Sequence, residues 1–314
     1  MTKKALKILP ILLLPLFLLS FRHTDFERTA CPYPLKQLSL YSGKTGWGLS
    51  LDNEILYTTQ GLEALEPVKT LDGLNPASDG FANAVFLDEQ TAYITCFSSD
   101  NEHLVIEFTN DCGITWNQTL IPYDNKTCDA GSAFLCFEDS THGYLLHCST
   151  PAMGQMKKLL YTTEDAGETF TFLKDLSNII KGYPQGITAI KDNAIQIAVT
   201  YHGTDSYLYQ SPDSAKTWKP VEILPRTADI GYIDAFAPVY SRNNPQNGII
   251  LLKAVNEKTA AYRLYTTKDG GTSCAHRHSE IPCDDVRSFC LSDDHKVYVV
   301  DSEGNVYRPG TRQR

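Results

Sequence analysis

The chain has 314 residues, 42% hydrophobic and 21% charged, enough to build one large globular domain or two small ones around a real core. Three Met and three Trp stand against 17 Tyr and 13 Phe, a mix that fills pleated, half-buried surfaces, so the composition leans to β and excludes a disordered chain. The formal net charge is −9; five basic and two acidic residues up to Ala30 carry +3, leaving −12 on residues 31–314, which excludes nucleic acid or anionic lipid as a partner held by general electrostatics.

At the N-terminus Lys3, Lys4 and Lys7 precede a run from Ile8 to Phe21 that is apolar except at Pro10, Pro15 and Ser20. A basic start followed by a short apolar stretch predicts export. The run is shorter than the ~20 residues of a spanning helix. Residues 1–30 are therefore expected to be a signal peptide or an uncleaved membrane anchor, the only part in membrane contact, with the folded body at 31–314. No Ala-x-Ala site follows the run. Thr29-Ala30-Cys31 weakly resembles the end of a lipoprotein box, but Arg28 stands where an aliphatic residue belongs. All nine cysteines lie from Cys31 onward. Export predicts two to four disulfides, with Cys274–Cys283 the favoured local pair and at least one thiol left over.

Four segments of the body align: Glu107 to Trp116, Tyr161 to Phe170, Tyr209 to Trp218 and Tyr265 to Cys274. The shared pattern is Ser/Thr-x-Asp-x-Gly-x-Thr/Ser-Trp. Its aspartates, Asp111, Asp165, Asp213 and Asp269, are 54, 48 and 56 residues apart. A degraded copy, Leu56 to Gly61, lies one period upstream. Near-constant periods of this length mark a repeat architecture.

Each period divides into four short strands separated by polar turns. The second unit reads as Ala82–Leu87, Ala92–Phe97, Leu104–Thr109 and Trp116–Pro122, and the third as 132–137, 143–149, 158–163 and 169–173. Units four and five follow over 186–224 and 233–281. After Val286 only three strands remain, at 287–291, 296–301 and 305–308, so the segment near Cys31–Gln37 is expected to complete the last unit. Four-stranded units in radial array predict an all-β propeller of six blades, or seven if short strands are merged.

The repeated octapeptide resembles the Asp box of the bacterial neuraminidase repeat family, across most of the chain. The resemblance implies a structural motif on the propeller rim. Thr109, Thr163, Ser211 and Thr267, with the four aspartates, are expected to bond backbone groups and fix each hairpin. Gly113, Gly167 and Gly271 supply positive φ. Ala215 takes that place in the third box, where the turn is expected to be strained or differently shaped. Trp116, Phe170 and Trp218 are expected to plug the hairpin base; Cys274 stands there in the fourth.

Two classes of function fit a propeller. A sialidase-type glycosidase needs an arginine clamp, yet no arginine lies between Arg28 and Arg226. Other glycan-acting propellers use paired carboxylates; Asp79, Asp129, Asp234, Asp284 and Asp285 are candidates without a distinguishing pattern. Tyr201, Tyr207, Tyr209, Tyr232 and Phe236 could line a glycan cleft or serve as blade packing. Cys274, His276, His278 and Cys283 could hold a metal, although the disulfide is simpler. Ser42-Gly-Lys-Thr-Gly-Trp-Gly-Leu-Ser50 followed by Ile55 to Thr59 resembles a unit of the photosystem II assembly and stability factor family. That resemblance implies an exported, non-catalytic scaffold with no cofactor. Its partner is expected to be a protein of the cell envelope or beyond it, with a glycan as the alternative.

Overall fold

Apolar runs of five to eight residues dominate the second strand of each repeat, as in Ala92–Phe97 and Gly143–Cys148, where all six residues are buried. A strand buried on both faces loses the polar/apolar alternation of a half-exposed one. These strands lie inside sheets that stack against neighbours on both sides. The computed structural model describes residues 26–72, 82–124, 126–190, 194–200, 207–225, 229–277, 281 and 283–310. They form six sheets, each an antiparallel blade, in a six-bladed β-propeller with one 3-10 turn at Leu62–Ala64.

Strand β1 is Phe26–Thr29. Blade 1 holds β2 (Leu35–Leu40), β3 (Gly46–Ser50), β4 (Glu54–Thr58) and β5 (Glu66–Thr70). Blade 2 holds β6 (Asn83–Phe86), β7 (Ala92–Phe97), β8 (His103–Thr109) and β9 (Asn117–Pro122). Blade 3 holds β10 (Ser132–Phe137), β11 (Gly143–Cys148), β12 (Lys158–Thr163) and β13 (Thr171–Asp175). Blade 4 holds β14 (Tyr183–Ile190), β15 (Ala194–Thr200), β16 (Leu208–Ser211) and β17 (Lys219–Pro220). In blade 5 the inner strand is split into β18 (Tyr232–Ala235) and β19 (Val239–Tyr240), both pairing β20 (Gly248–Val255), with β21 (Ala260–Thr267) and β22 (Ala275–Arg277) outside. Blade 6 runs β23 (Val286–Leu291), β24 (Val297–Asp301), β25 (Val306–Pro309) and then β1.

The ring is closed by β1, which pairs β25 in register from Phe26↔Pro309 to Thr29↔Val306. The expected closing segment, Cys31–Gln37, does not do this. Pro32 and Pro34 withhold ladder donors, and Leu35–Leu40 is needed as the inner strand of blade 1. Phe26 supplies the missing anchor, 2% exposed in the core shared with Leu251, Val286 and Val299. Four residues of the segment expected to be leader or anchor thus belong to the last sheet, and Cys31 follows a strand rather than starting the body.

Six apolar clusters fill the spaces between blades, each built from neighbouring sheets. Polar side chains pin the inner strands to one another. Gln37 accepts from Ala84 N at 2.6 Å and donates to Ala84 O at 3.3 Å. Asn83 and Thr95 both donate to Ala133 O, at 2.8 and 3.0 Å. Thr188 donates to Pro238 O at 2.7 Å, and Ser288 to Lys36 O at 2.8 Å. Buried His147 donates from Nε2 to Asp129 O at 2.9 Å, and burial lowers its pKa, keeping the ring neutral. Among the described residues no helix is long and apolar enough to cross a membrane.

All nine cysteines are free thiols. The favoured pair is not bridged because its members serve different cores. Cys274 packs against the cluster between blades 4 and 5, and Cys283 against that between blades 5 and 6.

Candidate functional site

The strand directions define two faces. The lower face carries the hairpins joining first to second and third to fourth strands; the upper face carries the second-to-third turns and the blade crossings. The four aspartate hairpins are the third-to-fourth turns of blades 2 to 5, at separate places on the lower rim. Their bonding is the same in each. Thr109 Oγ1 donates to Asp111 Oδ1 at 2.8 Å and accepts from Gly113 N at 3.0 Å. Asp111 also accepts from Thr115 N at 2.9 Å and Thr115 Oγ1 at 2.6 Å. Asp165 repeats this with Thr163, Gly167 and Thr169, Asp213 with Ser211, Ala215 and Thr217, and Asp269 with Thr267, Gly271 and Ser273.

Two consecutive residues in each turn have positive φ: Cys112–Gly113, Ala166–Gly167, Ser214–Ala215 and Gly270–Gly271. Sequence reading identified only the second. Ala215 adopts φ 66° and keeps the bonds of its glycine counterparts, so its turn is not differently shaped. The following aromatic closes the base in three of the four: Trp116 Nε1 donates to Gly113 O at 3.0 Å and Trp218 Nε1 to Ala215 O at 3.2 Å. Phe170 packs between blades 2 and 3.

At Gly271 an added Cβ would meet Tyr240 Oη at 2.6 Å and Gln196 Nε2 at 2.9 Å. Tyr240 donates to Gln196 Oε1 at 2.8 Å, a bond tying blade 5 to blade 4. Gly271→Ala is expected to lower unfolding free energy by about 2 kcal/mol, from positive φ plus overpacking, read by denaturant titration. Unchanged stability would mean the hydroxyl moves aside freely.

The hydroxyl of the residue four positions on is the main cause holding each box aspartate below the ordinary carboxylate range, with backbone N–H donation adding to it. A carboxyl lowered on folding contributes stability that is complete above its unfolded pKa, about 3.9, and lost as pH falls through the folded value. Replacing all four by Asn is expected to flatten the acid limb below about pH 4. An acid limb of unchanged steepness, followed by circular dichroism, would contradict this.

At the lower end of the central axis stands Arg242, after β19 of blade 5. Blade 2 is opposite blade 5 in a six-membered ring, and Arg242 reaches it: Nε donates to Leu87 O at 3.2 Å and Nη2 to Phe86 O at 3.3 Å. Nη2 also donates to Ser39 Oγ at 2.7 Å in blade 1, and Nη1 lies 3.5 Å from Asp293 Oδ1 in blade 6. The guanidinium stacks 4.0 Å from the centre of the Tyr41 ring. This arginine closes the lower mouth, and its donors are committed to the ring itself.

The upper mouth is built differently. Tyr262, on β21, accepts from Val286 N at 2.7 Å and donates to Asp285 Oδ1 at 3.3 Å. Lys253, on β20, donates to Asp285 Oδ1 at 3.1 Å and lies 5.4 Å from the centre of the Tyr262 ring. Burial alone would lower the Lys253 ammonium, but Asp285 and Tyr262 outweigh it and raise its pKa. Burial also raises the Tyr262 phenol, against the opposing donation from Val286. Asp234 is the cross-strand neighbour of Lys253, and Phe236 packs 6.2 Å from both Tyr262 and Phe289. On the adjoining inner strands Lys36 is lowered by burial and then by the Arg287 charge, with Asp52 opposing. A separate cleft of about 520 Å³ opens where the chain crosses from β1 to β2, lined by Arg28, Cys31, Tyr33 and Asn305 among others.

The structure thus gathers Asp234 and Asp285 with two residues the sequence did not single out, Lys253 and Tyr262. Asp129 lies apart, bonded to Thr150 N at 2.5 Å. Asp284 is exposed beside Asp285. Asp79, Tyr201 and His278 lie outside the described residues. Tyr207 and Tyr209 are buried in blade cores; the Tyr207 hydroxyl is locked by Ile223 N and Leu224 N at 2.5 and 2.7 Å. Tyr232 lies half-buried on β18. His276 packs at a tilt against Tyr265, 5.2 Å between ring centres. Among the described residues one group has metal-ligand spacing, Asp100, Glu102 and His103 in an upper turn of blade 2, with ligand atoms within 4.8 Å.

The architecture defines a six-bladed β-propeller with one end of its axis stoppered. It is similar in fold to "YCF48 bound to D1 peptide", with TM-score 0.53 and 13% identity over 92% of this chain and 96% of that one. YCF48 from Cyanidioschyzon merolae follows at TM-score 0.50 and 13% identity, covering 90% and 98%. The GH74 xyloglucanase from Xanthomonas campestris shares the fold at TM-score 0.51 and 11% identity, over 92% of this chain and 54% of the enzyme. No family model matches the sequence, and no curated protein matches it.

Proposed function

We propose that this protein is an exported, non-catalytic scaffold that holds a segment of a protein partner at its upper mouth. The carrying observation is the asymmetry of the axis: Arg242 seals the lower end, while Lys36, Arg287, Lys253 and Asp285 crowd the upper one. A mouth presenting both charges beside aromatic rings suits recognition of a peptide with its own mixed charges. The shared fold of YCF48, there bound to a peptide, supports the reading. The basic, apolar N-terminal run supports export, with the chain either released or held by that segment.

The test is cross-linking of the purified protein to envelope extracts, comparing wild type with a Lys36→Glu/Arg287→Glu variant. A specific partner lost from the variant is expected. Equal recovery by both would place the contact elsewhere.

A glycan-directed reading is favoured by one feature, the Tyr262 hydroxyl donating to Asp285. A phenol beside a carboxylate is a pairing that can activate a tyrosine nucleophile. Burial works against it by raising the phenol's pKa. Turnover of a fluorogenic glycoside panel that Tyr262→Phe abolishes would replace the scaffold reading with this one.

A further inference from the structure

We propose that the outer edge of blade 3 is a second docking site, taking an extended, basic and apolar segment of a partner as an added strand. Outer strands present unpaired backbone groups, and proteins blunt them with proline, charge or shortness. Other blades do so. β5 contains Pro67, β9 ends at Pro122, and β17 is the two residues Lys219–Pro220. β1 carries Glu27 and Arg28, with Glu27 ion-paired to Arg308 at 3.1 Å.

β13 is five residues long, free of proline, and exposes Phe172 at 54% and Leu173 at 41%, with a register shift opposite Leu160 and Tyr161 that leaves Leu173 outside the paired positions. Ile179 continues the apolar line just beyond. The charges that could guard this edge point elsewhere. Lys174 Nζ folds onto blade 4, donating to Ala215 O at 3.1 Å and Lys216 O at 2.7 Å, and Asp175 pairs with Lys157 at 3.1 Å.

Charge selects the occupant. Leu173 lines a cleft of about 350 Å³ whose walls carry Glu138, Asp139 and Glu164, with His142 bonded to Asp139. An added strand alternating apolar and basic residues places its apolar set beside Phe172 on one face and its basic set beside Leu173 and these carboxylates on the other. A second copy of this chain, itself acidic, would bring two such clefts together and be repelled.

The probe is a fluorescent octapeptide of alternating valine and lysine, with a valine–glutamate octapeptide as control, titrated against the full chain. The lysine peptide is expected to bind, the glutamate peptide not. Hydrogen exchange at residues 171–175 is expected to slow at least tenfold on binding. Leu173→Lys and Glu164→Lys, both on exposed positions, are each expected to weaken binding tenfold or more. The Lys36→Glu/Arg287→Glu variant is expected to bind the peptide as wild type does, which separates this site from the upper mouth. Exchange at 171–175 unchanged by the peptide, or binding indifferent to both edge variants, would overturn the proposal. So would a dimer in sedimentation that Leu173→Lys dissolves, since the edge would then serve self-pairing.

Discussion

A chain shortened to begin at Cys31 is expected to lose about 5 kcal/mol of stability relative to one beginning at Asp25. The loss has two sources. Phe26 is buried among Leu251, Val286 and Val299, and its removal leaves a large void between blades 5 and 6. The four-residue ladder to β25 also disappears, with the ion pair of Glu27 and Arg308. β25 then becomes an outer strand with unpaired backbone groups, so the shortened chain is expected to self-associate as well. Guanidinium titration with sedimentation velocity checks both. Equal midpoints for the two chains would show that the ring closes adequately through blade 1.

Arg242→Ala is expected to cost about 3 kcal/mol, and Arg242→Lys nearly as much. The guanidinium ties its own blade to three others at once, and a lysine ammonium lacks the planar fork needed to serve Leu87 O, Phe86 O and Ser39 Oγ together. Its stacking on Tyr41 is lost too, exposing a ring that burial otherwise covers. The side chain is about one-third exposed, so solvent returns part of the bonding and keeps the figure below that of a fully buried arginine. Because the contacts cross the ring, the variant is expected to unfold less cooperatively, with a smaller denaturant slope. A variant as stable and as cooperative as wild type would reduce Arg242 to an ornament of the lower face.

The six sheets were legible because they are local: each hairpin joins neighbours in sequence, and strand boundaries such as Ala92–Phe97, Ser132–Phe137 and Lys158–Thr163 coincide with apolar runs between polar turns. The closing strand was not legible, since Phe26-Glu-Arg-Thr29 is a weak strand pattern stabilised only by a sheet 280 residues away. Arg242 carried no local signal either; its partners lie up to 203 positions distant. At the upper mouth Asp234 and Asp285 stood out as carboxylates, but Lys253 and Tyr262 fall within runs that read as ordinary strand. Their meeting is a product of the ring. The missing Cys274–Cys283 bridge has the same origin, because nearness in sequence does not place two thiols in one interblade space.

The pairing of Phe26 with Pro309 brings the points where the chain enters and leaves the ring side by side, both at the lower rim of blade 6. Were the residues before Phe26 to tether the protein to a membrane, the molecule would sit with Arg242 and the aspartate turns toward the lipid. The mouth with Lys253 and Asp285 would look outward, like a bowl set on its base, about one blade height from the surface. A partner would then have to arrive from the far side.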